Sequence, residues 1–216
     1  MSGMKINYKY VVIEGNIGAG KTTLARRIAE QFNAHLILEQ FADNPFLPKF
    51  YEDPEKYSFP LELSFLASRY RQLKEELEPQ DLFKTFTVAD YYFIKSLVFA
   101  ASTLKGDEFN IYRQIFHIIY GSLPKPDLYV YLHLKPERLL QNIKKRGRNY
   151  EKSITREYLQ KIQESYFLSF KQNQENKYLI IDVNSIDFVS KEDDYRKVIK
   201  SIFYDKYTSG LNTVIL

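Results

Sequence analysis

A glycine-rich segment near the start of the chain has the residue types and the spacing of a phosphate-binding loop. Residues 13–23 are I-E-G-N-I-G-A-G-K-T-T, which contains the pattern G-x-x-x-x-G-K-T. Glycines allow backbone N–H groups to converge on phosphate oxygens without clashes from Cβ atoms. The lysine can reach the terminal phosphates, and the first threonine hydroxyl can ligate Mg²⁺. The segment therefore predicts a site for a nucleoside triphosphate, with ATP as the expected nucleotide and Mg²⁺ as the cofactor.

The loop residues form the first part of this predicted ATP site. An ordinary flexible turn is the alternative, but strand, loop, lysine, threonine and helix occur in the order that phosphate binding needs. The predicted ATP-binding residues of the loop are Gly15, Asn16, Ile17, Gly18, Ala19, Gly20, Lys21, Thr22 and Thr23. Of these, Lys21 is also expected to act in catalysis, and Thr22 is expected to bind the metal.

Short apolar runs alternate with helix-like segments along the chain. Runs rich in β-branched residues predict buried strands, and apolar residues four positions apart predict helices. The predicted strands are 10–14, 35–38, 83–89, 128–134 and 178–182, and the predicted helices are 21–32, 58–77, 93–104, 107–120, 154–172 and a segment that Pro136 opens. This alternation favours a parallel sheet. We therefore predict an α/β fold of the P-loop NTPase type, a three-layer domain over 1–216 with a five-stranded parallel sheet and helices on both faces.

The composition limits the class of protein. The 216 residues carry a formal net charge of +4 and include no cysteine. These values indicate one globular domain, exclude disulfides and cysteine-based metal sites, and suit a reducing cytoplasm. We expect no secretory leader, and no apolar run is long enough to cross a bilayer. Because the positive charge is weak and clusters only at 144–148, neither nucleic acid nor a membrane is an expected partner.

A second set of residues is suited to the acceptor of a phosphoryl group. Glu39 directly follows the apolar run 35–38, which places it at the carboxyl edge of the sheet, where ligands of such folds bind. It is the predicted catalytic base, with a solvated glutamate at a strand end as the alternative. The basic run K-K-R-G-R at 144–148 predicts a short lid over about 142–151. Its arginines suit a transferring phosphoryl group, and a solvated basic helix end is the alternative.

These features together resemble a known family, the deoxynucleoside kinases, over nearly the whole chain. The resemblance rests on G-N-I-G-A-G-K-T-T at 15–23, Glu39 after the second strand, Y-E-D-P-E-K-Y-S-F at 51–59, S-R-Y-R at 68–71, V-F-A at 98–100, R-G-R-N-Y-E at 146–151 and I-D-V-N at 181–184. Only the loop would be specific alone; the combination is specific as a set. The resemblance implies a kinase that phosphorylates the 5′-hydroxyl of a deoxynucleoside.

The resemblance also implies roles around the phosphates. Glu39 would deprotonate the 5′-hydroxyl of the sugar. Arg146 and Arg148 would be catalytic residues of a lid that closes over the phosphates. Asp187 and Phe188 would lie in the loop that borders the adenine of ATP and so complete the predicted ATP-binding set.

For the sugar and the base, the resemblance implies a further set of contacts. Tyr51 and Glu151 would hold the 3′-hydroxyl of the sugar, and Phe99 would stack on the base. From the residues alone, Tyr51 could equally be a tyrosine that packs against a helix.

The chain departs from the family pattern where the base is recognised. Relatives carry a glutamine seven residues before an arginine on the long helix; here the arginine is Arg69 and the earlier position is Glu62. A position that is aspartate in relatives becomes Lys95. A carboxylate only accepts hydrogen bonds, and guanine presents N1–H and N2–H₂ donors beside an O6 acceptor. Glu62, with Lys95 or Arg69 at O6, therefore favours deoxyguanosine, whereas a structural Glu62–Arg69 ion pair is the alternative.

The end of the third strand also differs from the family, whose members have E-R-S there. The chain has A-D-Y at 89–91, so Asp90 is predicted to contact the substrate side of the site and to help hold Mg²⁺. A helix N-cap is the alternative for Asp90. The arginine of E-R-S has no evident replacement, and Asn142 stands where relatives often carry another arginine.

Other classes of function stay open from the residues. A deoxyadenosine or deoxycytidine kinase is one, and a nucleoside-monophosphate kinase, which would need extra positive charge for its acceptor, is another. A GTP-dependent switch or binding module would need an N-K-x-D motif, which we do not find. The apolar stripe of segment 107–120 is core or, as the resemblance implies, a homodimer interface.

Overall fold

The computed structural model describes residues 6–40, 44–77 and 83–216, and these build a parallel sheet with helices on both faces. The sheet has six strands in the order β2-β3-β1-β4-β5-β6. The strands are β1 (Tyr10–Gly15), β2 (His35–Ile37), β3 (Thr87–Ala89), β4 (Leu128–His133), β5 (Lys177–Asp182) and β6 (Gly210–Ile215). The three-layer α/β fold predicted from the alternation of strands and helices is confirmed.

The helices lie between the strands in the chain, as crossovers of a parallel sheet require. They are α1 (Lys21–Phe32), α2 (Leu47–Glu52), α3 (Pro54–Leu77), α4 (Ile94–Thr103), α5 (Gly106–Tyr120), α6 (Pro136–Arg146), α7 (Arg156–Gln172) and α8 (Glu192–Phe203). A short 3-10 helix, Asn149–Glu151, follows α6. Helices α2 and α8 were not predicted, and α3 begins four residues earlier than the predicted 58–77. In the described part of the chain, no helix combines the length and apolarity that a bilayer crossing requires.

Alternate residues of β1 face opposite layers of the core. Val11 and Ile13 pack in a cluster with buried residues of α1, α6 and α8. Tyr10 and Val12 pack in a second cluster with residues of α3, α4, α5 and α7. Since side chains of a strand alternate between the two faces of a sheet, both faces of β1 are buried, as its continuous apolar sequence requires.

The sixth strand corrects the predicted count of five. Strand β6 runs parallel to β5, with Ile180 opposite Thr213. Its residues alternate between half-buried and exposed, because it is the edge strand and carries polar residues at Asn212 and Thr213. This mixed pattern is a weaker strand signal than the buried apolar runs of the inner strands, so the sequence does not predict β6.

Three strand ends bring the chemistry-bearing segments together. Strand β1 leads into the glycine loop, β2 is followed by Glu39 and β3 is followed by Asp90. The amide of Asp90 donates to the carbonyl of Ile37 at 3.1 Å, and the amide of Glu39 donates to Oδ1 of Asp90 at 2.8 Å. The parallel register of β1, β2 and β3 thus places these acidic residues beside the start of α1.

Candidate active site

The glycine loop adopts a backbone that needs its glycines. Gly18 and Gly20 have φ angles of 83° and 88°, in the left-handed region that side chains disfavour. A Cβ atom on Gly18 would lie 2.9 Å from the carbonyl oxygen of Leu139, and one on Gly20 would lie 2.8 Å from the Phe188 ring. The loop is therefore held closely between α6 and the segment around 188, with its N–H groups at the start of α1.

Hydrogen bonds from two asparagine side chains attach the loop to the neighbouring helices. The side-chain amide of Asn16 donates to the carbonyl of Leu159 in α7 at 2.7 Å. The amide of Asn142 in α6 donates to the carbonyl of Gly18 at 2.8 Å. Asn142 stands where relatives often carry an arginine, and in this chain it stabilises the loop through its hydrogen bond to Gly18. These two bonds connect the phosphate-binding backbone to both neighbouring helices.

Lys21 points back over the loop. Its Nζ donates to the carbonyl of Asn16 at 2.9 Å. Burial and the nearby positive charge of Lys95 lower the pKa of Lys21 to about 8. A bound polyphosphate would supply negative charge at this position and favour the protonated lysine. The phosphate contact of Lys21 stays a prediction.

Thr22 and Asp90 lie against each other at the sheet edge. The hydroxyl of Thr22 donates to Oδ2 of Asp90 at 2.5 Å. Helix α4 begins at Ile94 with no side-chain cap, so the alternative that Asp90 is its N-cap is wrong. A hydroxyl and a carboxylate are hard oxygen donors of the kind that Mg²⁺ takes, usually together with waters and phosphate oxygens. The pair therefore fits a magnesium ion, although no third acidic ligand joins it in the described residues.

Glu39 lies between two buried cations. Oε1 accepts hydrogen bonds from Arg69 at 2.9 and 2.7 Å, and Oε2 accepts one from Lys95. Burial by itself would raise the pKa of Glu39, but the charges of Lys95 and Arg69 lower it to about 2. Arg69 also donates to the hydroxyl of Ser96 at 3.0 Å. Glu39 is thus an ionised hydrogen-bond acceptor at neutral pH.

Glu62 contrasts with Glu39 in its partners. It is buried, and Oε1 accepts a hydrogen bond from Thr103 at 3.0 Å, while Oε2 is buried with no partner. Burial raises the pKa of Glu62 to about 7, although the charge of Arg69 and the bond from Thr103 oppose the rise. Within the described chain Arg69 is paired with Glu39, so the alternative of a Glu62–Arg69 ion pair is not realised.

The two lid arginines both contact Glu151. Arg146 donates to the two carboxylate oxygens at 2.6 and 2.7 Å, and Arg148 donates to Oε1 at 3.3 Å. Glu151 is buried, whereas the arginine side chains are about one-third exposed. Beside them, the ring of Tyr51 stacks on that of Tyr150 with centroids 6.0 Å apart. The structure thus joins residues predicted for the phosphates to residues predicted for the sugar.

Two cavities meet at the end of the glycine loop. The larger is a cleft of about 870 Å³ that includes the loop and the segment 186–190. The smaller, about 120 Å³, is lined by predicted substrate residues. These are Tyr51, Glu62, Arg69, Asp90, Lys95, Phe99 and Glu151. Both cavities share Lys21, Thr22, Glu39 and Asp90. The smaller cavity is below the volume of about 300–1,000 Å³ that ligand pockets usually have.

The segment predicted to border adenine closes one side of the larger cleft. The ring of Phe188 is buried beneath Gly20. The carboxylate of Asp187 accepts bonds from the amides of Val189 and Ser190 at 3.2 and 3.1 Å, so it shapes its own loop. Arg138 holds the preceding turn by donating to the carbonyl of Ile186 at 3.0 Å. Asp187 is therefore a loop-forming residue, and it lines the cleft together with its neighbours in the segment 186–190.

Several residues that organise the site were not predicted. They are Ser96, Thr103, Arg138 and Tyr150. A usable signal existed for Thr103, because it follows Lys95 and Phe99 at intervals of four on α4 and so shares their face. Ser96 and Arg138 contact partners far away in the sequence, which no local pattern indicates.

The parallel sheet, the glycine loop and the second cavity together define a P-loop nucleotide-binding protein with space for an acceptor. The family described as "Deoxynucleoside kinase" matches residues 11–206. The chain therefore belongs to the deoxynucleoside kinase family, as its sequence motifs predicted. It is an enzyme that phosphorylates deoxynucleosides.

Individual relatives agree with this assignment. The chain is 37% identical over 193 residues to the deoxyguanosine kinase of Bacillus subtilis, covering 88% of this chain and 93% of the relative. It is 32% identical to the deoxyadenosine kinase of Dictyostelium discoideum, covering 85% and 75%. Among solved structures, deoxyadenosine kinase from M. mycoides with bound dATP superposes with a TM-score of 0.77 at 22% identity, covering 90% of this chain and 98% of that chain. This last likeness concerns the fold alone.

Proposed function

We propose that the protein transfers the γ-phosphoryl group of ATP to the 5′-hydroxyl of deoxyguanosine and so serves nucleotide salvage. The observation that carries the choice of base is Glu62, a buried carboxyl group with an unpartnered oxygen in the acceptor cavity. The likeness to a deoxyguanosine kinase supports the choice, although a deoxyadenosine kinase is also among the relatives. The base is therefore argued from the cavity.

The lining of the acceptor cavity suits guanine better than adenine. The carboxylate of Glu62 only accepts hydrogen bonds, and guanine offers it two adjacent donors, N1–H and N2–H₂. Adenine would offer one donor and place the lone pair of N1 against the second oxygen. An unpaired buried polar group of this kind costs about 1–3 kcal/mol, and more for a charge.

The O6 acceptor of guanine needs a donor from the same cavity. Lys95 is the better candidate, because an ammonium has three N–H donors and Lys95 uses one of them on Glu39. Arg69 already serves both Glu39 and Ser96. The ammonium of Lys95 also lies 5.4 Å from the ring centroid of Phe99, the residue proposed to stack on the base.

The donor nucleotide is assigned to the larger cleft. The loop amides and Lys21 would hold the phosphates, and Thr22 with Asp90 would hold Mg²⁺. When bound, this ion would neutralise charge that develops on the transferring phosphoryl group. Phe188 and the Asp187 loop would form the adenine side of the cleft. These assignments rest on the lining of the cleft and on the oxygen donors at its inner end.

Glu39 is proposed to orient the 5′-hydroxyl and accept its proton. A pKa near 2 makes it a weak base. Phosphoryl transfer passes through a loose transition state in which the nucleophile is little deprotonated, so positioning counts for more than basicity. The hydroxyl would donate to a carboxylate that Arg69 and Lys95 already hold in place.

The lid arginines would exchange partners during turnover. In the structure Arg146 and Arg148 neutralise Glu151. A bound triphosphate offers them more negative charge, and guanidinium groups bind phosphate oxygens in forked pairs. Glu151 would then accept from the 3′-hydroxyl of the sugar beside Tyr51, which would also widen the smaller cavity.

Steady-state kinetics with four deoxynucleosides test this function. We expect kcat/KM for deoxyguanosine to exceed those for deoxyadenosine, deoxycytidine and thymidine at about pH 8, by about 10–100-fold per unpaired buried group. Glu62→Gln should lower this preference. Glu75→Gln, an exposed glutamate of the same helix, is the matched control and should leave it unchanged. A preference for another nucleoside, or for a monophosphate acceptor, would refute the proposed substrate.

Two further properties belong to the proposal. We propose a homodimer, because Ile111 and Ile118 on α5 are 51% and 81% exposed while Tyr112 and Phe116 on the same helix are buried. We also propose that the protein acts in the cytoplasm, a reducing compartment that a chain without cysteine suits. Light scattering that gives the mass of one chain would refute the dimer.

A further inference from the structure

The hydroxyl group of Thr103 has two acceptors within reach. Its Oγ1 lies 3.0 Å from the carbonyl oxygen of Phe99 and 3.0 Å from Oε1 of Glu62. A hydroxyl carries one proton, so Thr103 can donate to one of these oxygens at a time. If Glu62 is ionised, one contact is left between two lone pairs. If Glu62 carries a proton, it donates to Thr103, Thr103 donates to Phe99, and both contacts are hydrogen bonds.

The surroundings of Glu62 supply no ion pair that would enforce ionisation. Its second oxygen, Oε2, is buried without a partner, and in the described residues the charges of Arg69 and Lys95 are paired with Glu39. A buried carboxylate with one neutral donor is costly, because an isolated charge is poorly stabilised away from water. The neutral form is therefore a competitive state of the empty cavity.

Two of the charged groups that face Glu62, Arg69 and Glu39, keep their charge near neutral pH. Arg69 of the same helix keeps a raised pKa, and the pKa of Glu39 after β2 is about 2. Lys95 of α4 contributes a positive charge that lowers the pKa of Glu62. The charge of Glu62 also acts on three tyrosines, Tyr51 of α2, Tyr112 of α5 and Tyr158 of α7. Their pKa values are raised, chiefly through burial, so these tyrosines stay neutral.

We propose that the protonation state of Glu62 selects the base, so that the carboxylate binds guanine and the carboxylic acid binds adenine or cytosine. The proposal rests on the assignment of this cavity to the base. In that complex the proton lies on Oε2, so the carboxyl group offers the base one O–H donor and one acceptor, which complement N1 and N6–H₂ of adenine or N3 and N4–H₂ of cytosine, while Thr103 remains at Oε1. Guanine instead requires two acceptors, so its binding to the protonated enzyme must release one proton to solvent.

The pKa of about 7 places this exchange within the working range of an enzyme. Below the midpoint, each unit by which the pH falls should lower the ratio of kcat/KM for deoxyguanosine to kcat/KM for deoxyadenosine by up to about tenfold. Well above the midpoint the carboxylate form predominates, and the ratio should favour deoxyguanosine most. Groups that serve both substrates equally, such as Lys21, cancel in the ratio.

The first test follows this ratio from about pH 5.5 to 8.5. The wild type should show the rise, and Glu62→Gln, which cannot ionise, should give a flat ratio. A flat wild-type ratio that still favours deoxyguanosine would overturn the inference and leave the proposed substrate intact. A ratio that favours deoxyadenosine even at the highest pH would overturn the proposed substrate instead.

The second test counts protons directly. Calorimetry of nucleoside binding to the whole protein, repeated in two buffers of different ionisation enthalpy, should show deoxyguanosine releasing close to one proton about one unit below the midpoint. Deoxyadenosine should release none. Equal proton exchange for the two nucleosides would contradict the inference, whatever their affinities.

Thr103 supplies a third readout that a purely structural role would not produce. Thr103→Val keeps the shape of the side chain but removes the hydroxyl that contacts the carboxyl group, so the midpoint of the ratio should move away from the wild-type value. Thr103→Ser retains the hydroxyl and should keep the midpoint near the wild-type value. The same midpoint in Thr103→Val and the wild type would refute the coupling between Thr103 and Glu62.

Discussion

Replacing Glu62 by glutamine should change how the stability of the ligand-free protein depends on pH. The folded protein holds the Glu62 proton with a pKa of about 7, against the ordinary value of 4.5. Because the folded state binds this proton more tightly than the unfolded chain, the contribution of Glu62 to stability is fully present below 4.5 and is lost as pH rises through about 7. A glutamine at this position removes that dependence.

The size of the effect follows from the shift. One pKa unit corresponds to about 1.4 kcal/mol, so the whole displacement amounts to about 3 kcal/mol. The free energy of unfolding of Glu62→Gln, minus that of the wild type, should grow by about 1.4 kcal/mol per pH unit between about pH 5 and 7. Above about pH 7.5 the difference should level off.

Urea denaturation at several pH values measures this difference. The chain has no tryptophan, so far-UV circular dichroism is the suitable signal. Glu75→Gln, on the exposed side of α3, controls for the loss of a negative charge and should follow the wild type. A difference between Glu62→Gln and the wild type that is constant with pH would refute the reasoning about the buried, poorly partnered carboxyl group.

Three further substitutions have expected outcomes. Asp90→Asn should raise the Mg²⁺ concentration for half-maximal activity by about 10–100-fold, as measured by magnesium titration of the rate. Gly20→Ala should destabilise the protein by at least about 1–2 kcal/mol in thermal or urea unfolding, because the left-handed backbone and the contact with Phe188 leave no room for a methyl group. Arg146→Ala should lower kcat by about 100-fold or more in steady-state assays.

Each of these substitutions has a matched control in the same chain. Asp193→Asn changes an exposed carboxylate, Gly121→Ala changes a glycine with open space and an ordinary backbone, and Arg196→Ala changes an exposed arginine. The controls should behave like the wild type. An unchanged magnesium requirement, an unchanged unfolding free energy or an unchanged kcat in the corresponding site variant would contradict the role assigned to that residue.

The sequence was sufficient to predict the inner part of the fold. Strands β1, β4 and β5 are buried on both faces, so their apolar runs are continuous and short. The glycine loop also predicts the elements on either side of it, because this motif binds phosphate when it connects a strand to the start of a helix. The edge strand β6 is not predicted, because an exposed edge needs only alternate apolar residues. Helix α8 is not predicted either, although its apolar residues face the core.

The sequence predicts which residues form the site better than it predicts how these residues pair with one another. The predicted residues other than Gly15 and Asn16 line the two cavities. The pairing of Glu39 with Arg69 and Lys95, however, depends on how α3 and α4 pack beside β2. The contact of Thr103 with Glu62 likewise joins two helices that are distant in the sequence. Local patterns give the face of a helix and do not give its neighbour.

A competition experiment tests the central claim most directly. The purified protein receives ATP, Mg²⁺ and an equimolar mixture of deoxyguanosine, deoxyadenosine, deoxycytidine and thymidine. The reaction is run at about pH 8, one unit above the pKa of Glu62. The monophosphates are quantified at low conversion. We predict that dGMP is the principal product and that Glu62→Gln increases the share of dAMP. A mixture dominated by dAMP, dCMP or dTMP in the wild type would contradict the recognition of guanine by Glu62.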